Sequence, residues 1–206
     1  MNEMGVNGEW RSSSQYRAVR YEGGVVIGSD SRASKCSFFF LMFCCMAGSL
    51  ADAQAVTNAV IHQLSFHSMQ MEEPPLVKSA AAIMRSFCYT HQDELSARFI
   101  MAGWDHINGP QVFTVSLGGI ILEQEFTVGG SGSSFIYGYA DAKFKPGMTR
   151  EECLTSTTNG TDNSLTLAMD RDNVSGVIVH LAIVTEKGAE RQLIPGNKLP
   201  VLQRLA

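Results

Sequence analysis

The sequence predicts an α+β fold in which two sheets pack face to face and helices cover both outer sides. Three observations carry this expectation. Strand-like and helix-like stretches follow one another as strands, two helices, strands, two helices, strands, an order that lets each layer bury its apolar side on the next. The 206 residues, 45% of them hydrophobic, suffice for one substantial core and one domain. Glycine pairs at Gly23-Gly24 and Gly118-Gly119 and a turn at Asn108-Gly109-Pro110 punctuate the strand runs, as hairpin turns do.

Taken in order, residues 1–13 are small and polar without a period, and are expected to form an unstructured leader, with the domain spanning 14–206 and its ordered part starting near Gln15. YRAVRYEGGVVIGSDSR then predicts a hairpin around Glu22-Gly23-Gly24, because alternating and β-branched residues flank the glycines. From Cys36 to Ala51 no residue is charged. This run is shorter than the roughly 20 residues a bilayer core needs, and its aromatic start and Ala-Gly-Ser end predict a buried strand running into a turn. Ala53, Val56, Val60, Ile61, Leu64 and Phe66 recur at helical spacing between Ser49 and Met71. Pro74-Pro75 should start a second helix through Leu76, Val77, Ala80, Ile83, Met84 and Phe87 toward Leu95. RFIMAGW, QVFTVSL and IILEQEFTVGG predict a three-stranded meander. GSGSSFIYGYADAKF and the stretch from Met148 to Asp170 predict two more helices, and GVIVHLAIVTEKGAERQLI a closing hairpin turning near Lys187-Gly188. Thr155–Ser164 is poor in helix formers and should make the fourth helix bulge or start late.

Composition excludes several classes of function. A formal charge of -4, with 16 basic residues scattered among 20 acidic ones, provides no basic surface for a phosphate backbone, so no nucleic-acid partner is expected. The five cysteines include no CxxC pair, which suggests neither a disulfide framework nor a zinc cage and fits a reducing compartment. His62 and His67 are five apart, off the spacing that sets two ligands on one helical face, so no metal is expected. Acidic Glu3 and Glu9 and the lack of an apolar stretch argue against a secretory signal, and no membrane association is expected. Asn159-Gly160-Thr161 and Asn173-Val174-Ser175 are formal glycosylation sequons, idle in a cytosolic protein. No dinucleotide or P-loop spacing is present, and no cofactor is expected.

GSDSR at Gly28 to Arg32, AGSLADAQAV at Ala47 to Val56, EEPPLV at Glu72 to Val77, AGWD at Ala102 to Asp105, GGSGSS at Gly129 to Ser134 and RDNVSG at Arg171 to Gly176 are individually weak. In this order, with YGYADA and GMTREECL between them, they resemble the proteasome beta-subunit family from Arg17 to Pro200. The resemblance is nearest to the first beta type, caspase-like in its constitutive form, and within it to the interferon-inducible form of the immunoproteasome.

The resemblance implies a four-layer αββα sandwich, the N-terminal nucleophile hydrolase fold, and a threonine-type endopeptidase of the 20S core. Its leader is removed to expose a hydroxyl residue whose own amine is the general base. A hydroxyl is a poor nucleophile until a neighbouring base takes its proton, and in the family a lysine lowers the amine's proton affinity while a backbone N–H stabilises the oxyanion. By position, the aspartate that holds the lysine is Asp30, the oxyanion glycine is Gly48, and the supporting trio is Ser131, Asp172 and Ser175. Taken alone, Asp30 between two serines is a turn-capping carboxylate, and Ser131 is a helix-entry cap.

Two departures qualify the resemblance. The family's Gly-Thr-Thr junction falls on Ser13-Ser14-Gln15, so Ser14 holds the nucleophile position. Between Arg32 and Phe43 only ten residues stand, where the family has a further strand, typically about five or six residues long, that carries the lysine. Lys35 lacks the surrounding pattern and is not assigned that role. Met46 follows Cys44-Cys45 where the constitutive form has an arginine, so the substrate pocket, with Ala33, Leu50 and Gln54 on its wall, should take apolar side chains. The expected partners are other alpha and beta subunits in stacked heptameric rings and unfolded polypeptide substrates, in cytoplasm and nucleus. The alternative is a catalytically inactive structural subunit, or an aberrantly spliced one that keeps the scaffold and lacks the site.

Overall fold

Alternation in the first hairpin buries both faces of its strands. β2 (Gln15–Tyr21) and β3 (Gly24–Asp30) pair antiparallel across the expected turn at Glu22 and Gly23. Ala18, Val25 and Ile27 enter one apolar cluster, while Val19, Tyr21 and Val26 enter another on the opposite side. The structure, a computed structural model, describes residues 10–11, 15–30, 35–130, 133–158 and 179–195. Trp10–Arg11, inside the segment expected to be unstructured, forms a short strand β1 that pairs with Cys36 and Lys35.

The uncharged run after residue 35 corrects two expectations. It is a hairpin of β4 (Lys35–Phe39) and β5 (Met42–Gly48), where one strand was expected. β4 also supplies a strand in the interval where the strand was thought to be missing. No glycine, proline or asparagine marks the turn. Phe40 makes it in the left-handed region, at φ 51°, a strain of about 1–2 kcal/mol. Burial of Phe39 and Met42, each 1% exposed, offsets this at about 1.5–3 kcal/mol per side chain. The expectation of no disulfide is corrected as well, since Cys45 is disulfide-bonded whereas Cys44, Cys88 and Cys153 are free and buried. The register partner of Cys45 is Cys36, a proximity that only the turn at Phe40 creates.

α1 (Leu50–Met71) starts at Ser49, whose hydroxyl accepts from the Asp52 N–H at 3.5 Å, and ends at Glu72 in the left-handed region, at φ 56°. Ala53, Val56, Val60 and Leu64 are buried as the spacing requires, but Phe66 is largely exposed. α2 (Val77–Thr90) starts two residues after Pro75 and buries Val77, Ala80, Ala81, Met84 and Cys88. Its first N–H is held by the Asp105 carboxylate at 3.1 Å, and the other oxygen of that carboxylate accepts from the N–H groups of Ile107 at 3.1 Å and Asn108 at 2.7 Å. One buried side chain therefore caps a helix and a turn. Asp105→Ala should lower stability by about 2–4 kcal/mol, because four donors, the Asn108 side-chain amide at 3.3 Å among them, lose a charged acceptor; urea denaturation checks this, and a change within about 0.5 kcal/mol would mean that water replaces the carboxylate.

β6 (Ala97–Asp105) and β7 (Gly109–Val115) form the expected hairpin. The third strand of the meander is in fact two strands. β8 (Ile121–Glu123) stays on β7, whereas β9 (Phe126–Gly130) crosses to the other sheet and pairs with β2. The Gln124 N–H donates to Val112 and the Arg20 N–H donates to Glu125, so the two linking residues stitch one sheet to the other. α3 (Ser133–Lys143) and α4 (Arg150–Thr158) follow, and the rest of the stretch expected to be helical up to Asp170 lies outside the described residues. β10 (Val179–Thr185) and β11 (Gly188–Ile194) close the sheet as a hairpin.

The six-stranded sheet has the order β1-β4-β5-β6-β7-β8 and the five-stranded sheet β11-β10-β3-β2-β9. One core lies between α1, α2 and the first sheet, a second between the sheets, and a third between the second sheet and the segment around α4. The layers are thus helix, sheet, sheet, helix, as expected. Arg17, on the outer face of β2 and fully buried, donates from Nη1 to the Ser156 carbonyl at 2.7 Å in the last turn of α4, a cation satisfying a carbonyl at the end of a helix.

Candidate active site at one end of the sandwich

Strand register gathers the candidate positions at one end of the molecule. β2 begins at Gln15, the residue after Ser14, and Gln15 faces Gly130, the residue before Ser131. β3 ends at Asp30, which faces Val179 of β10. In the other sheet β5 ends at Gly48, which faces Ala97 at the start of β6. Tyr16 connects the two ends, because its side chain lies in the core between the sheets. Thr127 of β9 meets Thr114 of β7, oxygen to oxygen at 3.0 Å, and the Gln124 N–H reaches the Val112 carbonyl, so β9 runs toward Gly130 as β7 runs toward Val115, the partner of Phe99 near the start of β6. Asp30, Gln15, Gly130 and Gly48 therefore share one end.

Gly48 is the best-defined member. Its φ is 110°, and a Cβ there would come within 2.1 Å of the Ser96 carbonyl oxygen. Only glycine allows this approach. The next residue locks the junction, with the Ser49 N–H donating to the Ser96 carbonyl at 2.7 Å while the Ser96 N–H donates to Asp52 Oδ2 at 3.3 Å. A strand thus runs into the N-terminus of α1 through a rigid turn, and the free N–H groups of a helix start favour developing negative charge.

Lys35, left unassigned from the sequence, begins β4. The ladder Cys36↔Cys45 sets the start of β4 against the end of β5 that leads to Gly48. The signal that could have found β4 is the run Cys36-Ser37-Phe38-Phe39, which is short, apolar and aromatic enough to be a strand of its own.

The pocket expectation is corrected in part. Met46 is 1% exposed and is sealed in the core with Ala53, Val56 and Phe99, so it does not floor an open cleft. Its β-strand alternation with Cys45 turns it toward the tightly packed helices. Gln54 is exposed on α1. Only the backbone of Leu50 and of Asp30 is described. Ser14, Ala33, Ser131, Asp172 and Ser175 lie outside the described residues. A cleft of about 370 Å³ between α1 and α2, lined by Gln63, Ile83, Phe87 and His91 among others, is remote from this end, since Gln63 follows Gly48 by four helical turns.

Residues 41–184 match the proteasome subunit family. The chain belongs to that family. A proteasome subunit beta type-6-B like protein from Salmo salar is 57% identical over 196 residues, covering 89% of this chain and 88% of its own length. The proteasome subunit beta type-9 of Homo sapiens is 43% identical over 205 residues, covering 94% of this chain and 91% of its own. A beta type-6 subunit from Dictyostelium discoideum is 42% identical over 195 residues, covering 89% of each. The chain is accordingly a beta-type proteasome subunit of the 20S core, it has the N-terminal nucleophile hydrolase fold, and it assembles with other proteasome subunits. Since the type-6-like relative is more similar than the type-9 one, the expectation of an inducible-type chain rests on Met46 alone.

Proposed function

We propose that this subunit carries an N-terminal hydroxyl peptidase site in which Ser14 stands for the family's threonine. The observation that carries this reading is the convergence of Gln15, Gly130, Asp30 and Gly48 on one end of the sandwich, which the strand registers and the Thr114–Thr127 contact between the sheets give together. Removal of residues 1–13 would free the Ser14 amine. That amine takes the proton of Oγ, Oγ bonds to the substrate carbonyl carbon, and the carbonyl oxygen gains the negative charge that the Gly48 N–H receives. Collapse of this intermediate returns the proton to the leaving amine and leaves an ester on Ser14, which water then hydrolyses. Lys35, which heads β4 on the Gly48 side, is our candidate for the cation that keeps the amine unprotonated, and Asp30, Ser131, Asp172 and Ser175 take the supporting roles that the resemblance implies. The subunit's substrates are unfolded polypeptides in the cytoplasm and nucleus, as suits antigen-peptide generation; Met46, sealed in the core, sets no preference among their side chains.

The test is the mature N-terminus and its adduct. Mass analysis of the assembled particle should find Ser14 first and an epoxyketone bound to it, and Ser14→Ala should reduce adduct formation by at least about a hundred-fold, the loss expected when a nucleophile is removed. A second reading, a structural subunit without peptidase activity, is favoured by Ser13 and Ser14 standing where the family has glycine and threonine. An intact Met1 with no adduct would establish it.

A further inference from the structure

The contact between Tyr16 and Gly129 goes beyond the residues so far given a role. Gly129 is the register partner of Tyr16 across β2 and β9. A Cβ on Gly129 would lie 2.3 Å from Cε2 of Tyr16, 2.6 Å from Cζ and 2.7 Å from the hydroxyl oxygen, so the ring fills the space a side chain would take. On its other flank Tyr16 faces Ser29, which is also small. The ring is 2% exposed and packs in the layer between the sheets with Ala18, Ile27, Phe43 and Ile100, so the opposite sheet holds it down.

β9 needs such a hold. Among the described residues it is the last strand of its sheet and pairs only with β2, and it has five residues. Its inward-facing Thr127 is tied to the other sheet through Thr114, oxygen to oxygen at 3.0 Å. Gly129, the next inward position and the last but one residue of β9, has no side chain of its own, and the tyrosine ring takes its place. An aromatic ring laid across a cross-strand glycine is a known means of pinning register.

We propose that Tyr16 is a positioning residue: its ring, laid over Gly129, clamps the end of edge strand β9 that leads to Ser131 against the start of β2 that follows Ser14. The clamp sets the spacing between two chain segments that meet at the candidate site. Its bearing on catalysis rests on the Ser14 reading; its bearing on geometry does not.

Amide hydrogen exchange in the assembled particle tests the clamp directly, followed in peptides covering residues 15–18 and 126–130. Tyr16→Phe keeps the ring and should exchange within about two-fold of the native protein, whereas Tyr16→Leu keeps apolar bulk without the ring and should exchange about ten-fold faster in both segments. Gly129→Ala, which adds one methyl, should match Tyr16→Leu and gives the same readout if the leucine variant does not assemble. Because the two residues act through one contact, the double variant should exchange no faster than the faster single one. Native-like protection in Tyr16→Leu, or in Gly129→Ala, would overturn the proposal. Where the native subunit takes an epoxyketone, Tyr16→Leu should label about ten-fold more slowly and Tyr16→Phe normally. A native subunit that takes none refutes the Ser14 reading and leaves the exchange result to decide the clamp.

Discussion

Gly48→Ala should abolish epoxyketone labelling and lower stability by about 2–5 kcal/mol, combining left-handed backbone strain with overpacking. The methyl would sit 2.1 Å from the Ser96 carbonyl oxygen, a backbone atom that no rotamer change can move. Relief requires the start of β6 to withdraw from the end of β5, which breaks the bond from the Ser49 N–H to that carbonyl and turns the Gly48 N–H away from where an oxyanion would form. Loss of one such donor typically costs about a hundred- to a thousand-fold in rate. Gly109→Ala is the control. Its φ of 70° is also left-handed, but nothing lies within 4 Å of the added methyl, so the loss should be about 1 kcal/mol with labelling intact. Equal losses in the two variants would mean that the clash at Gly48 is relieved without cost, and labelled Gly48→Ala protein would remove this glycine from the site.

The second large effect is a loss of stability in alkali. Burial pushes the Cys44 thiol up to about 12, against a smaller opposing hydrogen bond with Thr57, and pushes Cys88 and Cys153 up to about 11. The unfolded chain ionises these groups near 9, so each raised thiol contributes stability that is complete below pH 9 and is lost as pH rises toward its folded value. The slope is about 1.4 kcal/mol per pH unit per thiol, and together the three should remove about 4 kcal/mol by pH 10. Urea midpoints measured from pH 8 to pH 10 should fall by about 1–2 M, and Cys44→Ala should remove about a third of that dependence. A flat profile over this range would show that the thiols are not protected as the packing requires. Below pH 9 a thiol reagent should find all three unreactive until the chain unfolds.

Much of the scaffold was legible because its signals are local. The turn at Glu22-Gly23, the turn after Asp105, the closing turn near Lys187 and the faces of α1 and α2 follow from glycine placement and from apolar spacing within a few residues. The motif order pointed to the family. The hairpin of β4 and β5 escaped because its turn sits at Phe40, a residue with no turn preference, inside a run that is apolar on both sides.

By itself the sequence determined which segments become strands and helices, where most of them turn, and which family they compose, since these depend on short-range pattern and chain order. Tertiary structure decided the division of IILEQEFTVGG between two sheets, the exposure of Phe66, the sealing of Met46, the bonding of Cys45 and the fit of Tyr16 over Gly129. Each of these depends on what a distant strand or helix presents at the point of contact, and no local propensity carries that information.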